Sequence, residues 1–259
     1  MAVQINLSKL SVGQFAERFR DEMIPLSKTF SYFCASVPMT EADLKEYLEE
    51  PIAALPPAIA SVLPNISIML VPYLERANGK QGGARRAGDI VCTEKPPESR
   101  LSWASQVSLD KQEVLVFALK DQEVAEYHYR FYRGIATLMA DRWPEASRSR
   151  YLALLREELK ASVHGEVDED SWRAKQSLLR RQGSLRKESK PFQEYARESF
   201  IDTLTLYLHG ICCDIDVETG PRQLPSRYLR KRLEALNELF SPPDGYAVFP
   251  DELRPHDSH

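Results

Sequence analysis

Long apolar runs are scarce in this chain of 259 residues. The longest, residues 66–71 and 201–208, fall far short of the roughly 20 residues that cross a bilayer, and Asp202 interrupts the second run. Residues 1–7 also lack the basic segment, apolar core and small-residue cleavage site of a secretory signal. We therefore expect a soluble, cytoplasmic protein that has no membrane partner.

The residues that build familiar catalytic motifs are also few. The four cysteines include one adjacent pair, Cys212 and Cys213, and this spacing is neither a disulfide scaffold nor a set of CxxC zinc knuckles. The Gly-rich basic segment 78–88 lacks the Gly-Lys-Ser/Thr ending of a P-loop, and we expect it to be a hairpin tip. The chain has no Gly-x-Ser-x-Gly elbow. No complete catalytic signature is therefore present.

What the chain does have is ample material for a core, since 43% of its residues are hydrophobic. The apolar periodicity predicts an α+β fold that is predominantly helical, with a small antiparallel sheet of three to four strands in residues 64–120. The candidate strands are residues 66–71, 89–93, 101–107 and 113–119. The candidate helices are residues 9–24, 40–51, 57–63, 121–141, 145–163, 169–182, 191–213 and 225–240.

These elements predict one compact domain over residues 1–240. N-terminal helices (1–63) precede the sheet (64–120), and a helical layer (121–240) follows it and buries His128 against the helix at 191–213. Gly, Ser and basic residues predict a flexible segment near 183–190. Residues 241–259 have little periodicity and are expected to form a C-terminal tail.

The helix predicted at 191–213 carries a narrow polar stripe on an otherwise apolar surface. Glu198, Asp202, Thr205 and His209 follow one another at spacings of four, three and four, so their side chains lie within a strip roughly 60° wide. Unpaired buried polar groups cost about 1 to 3 kcal/mol each, and these residues must therefore find partners.

One set of partners is a metal site. His128 lies on the apolar face of its own predicted helix, and imidazole nitrogen and carboxylate oxygen are ligands for zinc or iron. The predicted ligands are His128, Glu198, Asp202 and His209. In that interpretation a metal-bound water is the nucleophile, and Glu198 or Asp202 is the general base. The alternative interpretation replaces the metal with hydrogen bonds to neighbouring arginine and tyrosine side chains.

The element order also resembles that of the compact zinc metallopeptidases of the ImmA/IrrE type. In that family a His-Glu-x-x-His helix follows the last strand, and an acidic residue on a later helix completes the zinc shell. Here the corresponding helix reads Val-Ala-Glu-Tyr-His-Tyr-Arg-Phe-Tyr over residues 124–132. Counting from His128, Tyr129 and Tyr132 occupy the general-base and second-ligand positions. The resemblance implies a catalytically dead or rewired relative.

Basic residues are concentrated towards the C-terminal half, although the net charge of −4 gives no global reason to expect a nucleic-acid partner. The predicted anion-binding residues are Arg180, Arg181, Arg186, Lys187, Arg230 and Lys231. Arg173, Lys175 and Arg232 belong to the same basic stretches, and Trp172 and Tyr228 offer stacking surfaces beside them. A solvated charged face is the alternative interpretation.

Three functions follow from these patterns. The first is a cytoplasmic regulatory or protein-interaction protein without an intact catalytic motif, whose basic helices bind a protein partner. The second is a metal-dependent hydrolase, a degenerate compact zincin-like enzyme with a His/carboxylate site. The third is nucleic-acid binding through the basic helices. The substrate or partner is not specified by the sequence.

Overall fold

The computed structural model describes residues 10–77, 88–110, 112–180, 189–213 and 222–248. It is 53% helical with 18% strand, which confirms the α+β class and the predominance of helix. The chain divides into two compact units, one of residues 1–50 and 63–130 and the other of residues 51–62 and 131–259. The single compact domain of residues 1–240 stays a prediction.

The first helix of the first unit is shorter than its sequence pattern predicts. Helix α1 (Val12–Arg18) begins at a capping box in which the Ser11 and Gln14 side chains each accept from the other's backbone N–H. A 3₁₀ turn (Arg20–Glu22) and strand β1 (Ile24–Pro25) follow it. The helix predicted over residues 9–24 was therefore too long, because the end of that segment pairs with the edge of a sheet.

The main sheet is mixed rather than antiparallel. Strands β2 (Phe30–Cys34) and β3 (Asn65–Val71) are parallel, and β3 is also parallel to β8 (Gln112–Ala118). Parallel neighbours need a crossover between them, and helical turns fill the chain between β2 and β3: α2 (Glu41–Leu44), a π turn (Lys45–Glu49), α3 (Glu50–Ala53) and α4 (Pro57–Ala60). Six of the seven β3 residues are buried, as is typical of a central parallel strand.

The remaining strands complete this sheet and build a second one. Strand β7 (Ala104–Leu109) pairs antiparallel with β8, so the five-stranded order is β1-β2-β3-β8-β7. Strands β4 (Tyr73–Glu75), β5 (Ile90–Cys92) and β6 (Leu101–Ser102) form a separate antiparallel sheet in the order β5-β4-β6. The prediction was thus correct for the small antiparallel sheet, and wrong in confining all strands to residues 64–120 and in making them all antiparallel. Nearly all of the predicted hairpin tip at 78–88 lies outside the described residues.

Helices close to the predicted ones build the second unit. They are α5 (Val124–Ala140), which begins in the first unit and ends in the second, α6 (Glu145–Lys160), α7 (Glu169–Arg180), α8 (Lys190–Cys212) and α9 (Ser226–Leu239). Helices α6, α7 and α9 each contact α8. Most of the predicted flexible segment near 183–190 and most of the tail lie outside the described residues, and Ser189 and Lys190 at the end of that segment begin α8. Within the described part of the chain, no helix combines the length and apolar character that crossing a membrane requires.

A glycine fixes the approach of two loops in the second unit. Gly165 has a φ of +79°, and Glu166 next to it forms an isolated parallel bridge with Gln223. The Glu166 N–H donates to Arg222 O at 3.0 Å, and Glu166 O accepts from Leu224 N at 2.9 Å. A Cβ at position 165 would lie 2.1 Å from the Gln223 carbonyl oxygen. The backbone conformation and the close approach therefore both require glycine at this position.

We expect Gly165→Ala to lower the free energy of unfolding by about 3 kcal/mol or more, because the left-handed conformation and the clash add together. Gly245→Ala is the matched control, since Gly245 has a φ of +86° but nothing within 4 Å of an added Cβ. The control should lose only about 1 to 2 kcal/mol. Urea denaturation followed by circular dichroism measures both, and equal losses would contradict the role given to the Gln223 contact.

Candidate functional site

Helix α8 carries three of the four predicted metal ligands. Ser189 caps its start by accepting a hydrogen bond from Phe192 N at 3.4 Å. Asp202 is 2% exposed and His209 is 8% exposed, while Glu198 is half-buried. The polar stripe therefore lies mostly away from water, as its apolar surroundings in the sequence predict.

Asp202 is held by two hydrogen bonds. Its Oδ1 accepts from Arg133 Nη1 at 2.7 Å, and its Oδ2 accepts from the Ser171 backbone N–H at 3.0 Å. Ser171 lies in the first turn of α7, where backbone N–H groups have no partner within the helix. Arg133 also lies 2.6 Å from Asp170 and 3.8 Å from Asp168. In this Arg133 cluster, which comprises Arg133 and the three aspartates, a guanidinium supplies the positive charge that the carboxylates require.

The two acidic residues of the stripe have pKa values above those of exposed carboxyl groups. Burial raises the pKa of Asp202 above its ordinary value, although the Ser171 and Arg133 hydrogen bonds act in the opposite direction. Burial also raises the pKa of Glu198, against the opposing charge of Arg197, whose Nη1 lies 3.2 Å from Glu198 Oε1. Both groups therefore bind a proton more readily than an ordinary surface acid.

The two predicted imidazole ligands belong to different units. In the first unit, His128 is 5% exposed, and its Nε2 lies 2.9 Å from the Glu46 carbonyl oxygen. Because a carbonyl only accepts, this contact requires Nε2 to carry the proton. In the second unit, the His209 ring lies beside Tyr132 with 6.2 Å between ring centroids. The four-residue metal site of His128, Glu198, Asp202 and His209 stays a prediction.

A second group of buried charges, which we call the Arg232 network, was not predicted from the sequence. Its members are no more than 2% exposed: Arg232, Glu158, Glu166, Lys175 and Tyr195. They come from α9, α6, the loop before α7, α7 itself and α8. Five separate segments of the second unit therefore contribute side chains to one polar cluster.

Arg232 is the centre of this network. Its Nη2 donates to Glu158 Oε2 at 2.6 Å, and its Nε lies 3.1 Å from the same oxygen. Its Nη1 donates to Glu166 Oε2 at 2.7 Å and to Ser199 Oγ at 2.9 Å. A planar guanidinium with five fixed N–H donors suits such paired carboxylates, which the ammonium of lysine would satisfy less well.

Glu166 carries the network onward to α7 and α8. Its Oε1 lies 2.9 Å from Lys175 Nζ and accepts from the Tyr195 hydroxyl at 2.6 Å. Lys175 Nζ also donates to the Gly165 carbonyl at 2.8 Å. Burial alone would raise the pKa of Glu166, but the charges of Arg232 and Lys175 lower it below its ordinary value. Two cations and two carboxylates thus balance one another where each is at most 2% exposed.

The burial of Lys175 and Arg232 corrects their assignment to an exposed basic surface. A sequence signal for it exists, since Arg232 lies within an apolar stripe of Leu229, Leu233 and Leu236, all of them buried. Basic composition alone does not reveal such a position, because an inward arginine and an outward arginine contribute equally to a charge run.

The predicted anion-binding residues divide into three groups. Arg230 pairs with Glu234 at 3.0 Å and Lys231 pairs with Glu157 at 3.0 Å, so a neighbouring acid offsets each of these charges. Arg180 is exposed, and the described residues offer it no ion pair. Arg181, Arg186 and Lys187 lie outside the described residues.

The outer face of α7 offers an accessible surface beside Arg180. Trp172 is partly exposed, and Leu179 is 43% exposed, which is unusual for so large a hydrophobic side chain in this structure. A shallow cleft of about 440 Å³ runs along the helix. Its lining residues are Trp172, Arg173, Gln176, Ser177 and Arg180. An aromatic ring, an exposed leucine and an arginine with no described counterion thus share one helix surface.

We expect Glu166→Gln to lower the free energy of unfolding by about 3 to 5 kcal/mol, because it leaves Arg232 and Lys175 buried with one carboxylate. Glu157→Gln is the control, since it removes an exposed carboxylate from its pair with Lys231 and should cost less than about 1 kcal/mol. Urea denaturation of both variants measures the difference. Equal losses would show that the buried network does not bear on stability.

The pH dependence has a definite sign. The pKa of Glu166 is lowered from 4.5 on folding, so the unfolded chain binds the proton more tightly and the stabilisation is lost as the pH falls through the lowered pKa. The stability difference between the wild type and Glu166→Gln should therefore shrink as the pH is lowered below 4.5. A difference that stays constant down to the acid transition would contradict this assignment.

Known proteins provide no further guide to the site: no family model matches this chain, and the searches of curated proteins and of solved structures give no significant match.

Proposed function

We propose that this chain is a regulatory or interaction protein of the cytoplasm that works by binding a partner protein and has no intact catalytic motif. The observation that carries the proposal is the contrast between the two sides of α7. Its inner side is fixed by buried hydrogen bonds, and its outer face carries the partly exposed Trp172 and the exposed Leu179 and Arg180.

The composition of the outer face suits protein recognition. Trp172 and Leu179 are seven residues apart and lie within about 20° of each other around the helix axis, with Arg180 on the adjoining side. Tryptophan and arginine are enriched among the residues that dominate binding energy at interfaces. An apolar pair with a flanking cation is therefore suited to a complementary segment that carries both apolar and acidic side chains.

The inner contacts favour a rigid binding surface. The Ser171 N–H donates to Asp202 at the start of α7, and Lys175 is held by Glu166 and Gly165 one turn further on. A helix fixed in this way loses little conformational freedom when a partner binds, which lowers the entropic cost of association. The α7 face then acts as a preformed surface.

The charge of this face indicates an acidic partner. Arg173 shares its charge with Glu169 at 2.7 Å and Asp170 at 3.9 Å, whereas Arg180 has no acidic partner among the described residues. We infer that Arg180 pairs with a carboxylate of the bound segment. This pairing also fits the anion-binding role that the sequence predicts for Arg180.

Short amphipathic peptides that carry leucine or an aromatic residue beside two acidic residues are the probe for this surface. We expect fluorescence polarisation to detect binding that weakens about tenfold in Trp172→Ala and in Arg180→Glu, because each change removes more than about 1 kcal/mol of contact energy. Arg230→Glu is the charge-matched control, since Arg230 lies on α9 and already pairs with Glu234.

Neutral and basic versions of the peptides and a single-stranded oligonucleotide complete the test. If both α7 variants bind the acidic peptides with the affinity of the wild type, the peptides do not bind to the α7 face and the proposal is contradicted. Tighter binding of the oligonucleotide, with a steep loss of affinity as salt is added, would favour the nucleic-acid alternative.

A metal-dependent hydrolase is the second candidate, and one observation favours it. Glu198 is half-buried with a raised pKa, and it lines an open cleft of about 430 Å³ with Asp170, Arg173 and Glu194 among its other walls. Carboxyl groups with raised pKa values in clefts are typical of general bases. Asp202, however, would have to give up its contacts with Arg133 and Ser171 to bind a metal.

Elemental analysis of the tag-free protein distinguishes the two candidates. If the proposal of a binding protein is correct, any zinc or iron should remain unchanged in the His209→Ala variant. A stoichiometric metal that is lost in His209→Ala, but kept in Thr205→Ala on the same helix face, would instead support the hydrolase. Chelator treatment of the wild type should then abolish activity in a substrate screen.

A further inference from the structure

Two of the four cysteines are poorly placed to bind an ion. Burial raises the pKa of Cys34 to about 11, and the thiolate is the form that binds a metal. Cys92 is only 9% exposed, and its thiol donates to the Glu75 carboxylate, with Sγ 3.8 Å from Oε2.

Cys212 and Cys213 are in a different environment at the C-terminal end of α8. Both are partly exposed, and both are reduced. Cys212 is the last helical residue, whereas Cys213 is extended, with φ −127° and ψ 143°. Consecutive side chains of a continuous helix diverge by about 100°. Here the change of backbone conformation leaves the two Sγ atoms within 4.8 Å of each other.

We propose that Cys212 and Cys213 form a dithiol site that chelates a thiophilic centre, either a soft divalent metal ion or a trivalent arsenical. Two metal–sulfur bonds of about 2.3 Å at a tetrahedral angle hold their sulfur atoms roughly 3.8 Å apart. Small side-chain rotations bring the pair to that separation from within the 4.8 Å observed. The backbone already positions both ligands for one ion.

The end of the helix favours a cation at this position. The last carbonyl groups of α8 carry the negative end of the helix dipole, which stabilises positive charge. The Cys213 N–H donates to the His209 carbonyl at 2.8 Å and keeps the pair next to these groups. The helix end therefore adds to the attraction between the two sulfur ligands and a bound cation.

The binding reactions balance without any oxidant. With a divalent metal ion, two S–H bonds break, two metal–sulfur bonds form, and two protons pass to solvent. With phenylarsine oxide, two arsenic–sulfur bonds replace the arsenic–oxygen bonds, and the oxygen leaves as water with both thiol protons. Arsenic stays trivalent throughout. The site is independent of the α7 face and of any catalytic role for α8.

Phenylarsine oxide and Cd²⁺ are the two probes, each added to the full chain after removal of reductant. Intact-mass spectrometry should show one phenylarsine adduct, and ultraviolet thiolate-to-cadmium absorption should saturate at one equivalent. Cys212→Ser and Cys213→Ser should each weaken binding roughly 100-fold or more, because a chelate loses its second attachment. Cys34→Ser should bind like the wild type.

Reversal of the phenylarsine adduct separates chelation from attachment at single thiols. A dithiol competitor should remove the adduct, while an equal concentration of a monothiol should not. Binding of Cd²⁺ as well as phenylarsine oxide assigns the site to soft metal ions, and binding of phenylarsine oxide alone assigns it to trivalent arsenicals. Full uptake by either single serine variant, or loss of uptake in Cys34→Ser, would overturn the dithiol site. Cys213→Ala provides the same test should serine disturb the helix end.

Discussion

The buried guanidinium of Arg232 is the constraint on which the second unit depends. A charge that is 0% exposed is tolerable only when carboxylates and further hydrogen bonds replace the water that it loses. Glu158 and Glu166 provide the carboxylates, from α6 and from the loop before α7, and Ser199 on α8 accepts another hydrogen bond. Four segments must reach their native positions together before the charge is satisfied. The network therefore selects one arrangement of these helices over apolar packings of similar area.

The same network determines which surfaces remain available for function. The ion pair between Lys175 and Glu166 holds one side of α7 against the interior of the unit. Asp202 accepts a hydrogen bond from the Ser171 N–H in the first turn of α7. With those contacts made, rotation of α7 about its axis would break buried ion pairs. Trp172 and Arg180 consequently stay on the outside. The exposure of an aromatic residue and an arginine on one helix is thus a consequence of buried electrostatics elsewhere on that helix.

The sequence revealed the helices and the polar stripe of α8, because periodicity depends only on neighbouring residues. It did not reveal partners, since the contacts of Asp202 with Arg133 and Ser171 join positions far apart in the chain. The same limit explains the sheet. Strand β2 pairs in parallel with β3, and a long crossover connects the two strands. No local pattern in residues 30–34 indicates that pairing. A run of basic residues does not distinguish the buried Arg232 from its exposed neighbours, whereas the buried leucines around it do.

The polar residues of α8 consequently serve different purposes along one helix. Ser199 faces the Arg232 network and Asp202 faces the Arg133 cluster, so two guanidinium groups use neighbouring turns of the helix as acceptors. The Ser199 contact is buried and the Asp202 contact is part-buried, so both gain strength from a local dielectric lower than that of water. At the end of the helix the two thiols lie partly exposed, where a ligand can enter and protons can leave. Polar groups in the middle of α8 therefore make contacts that hold neighbouring helices, while the proposed dithiol site lies at the C-terminal end of the helix.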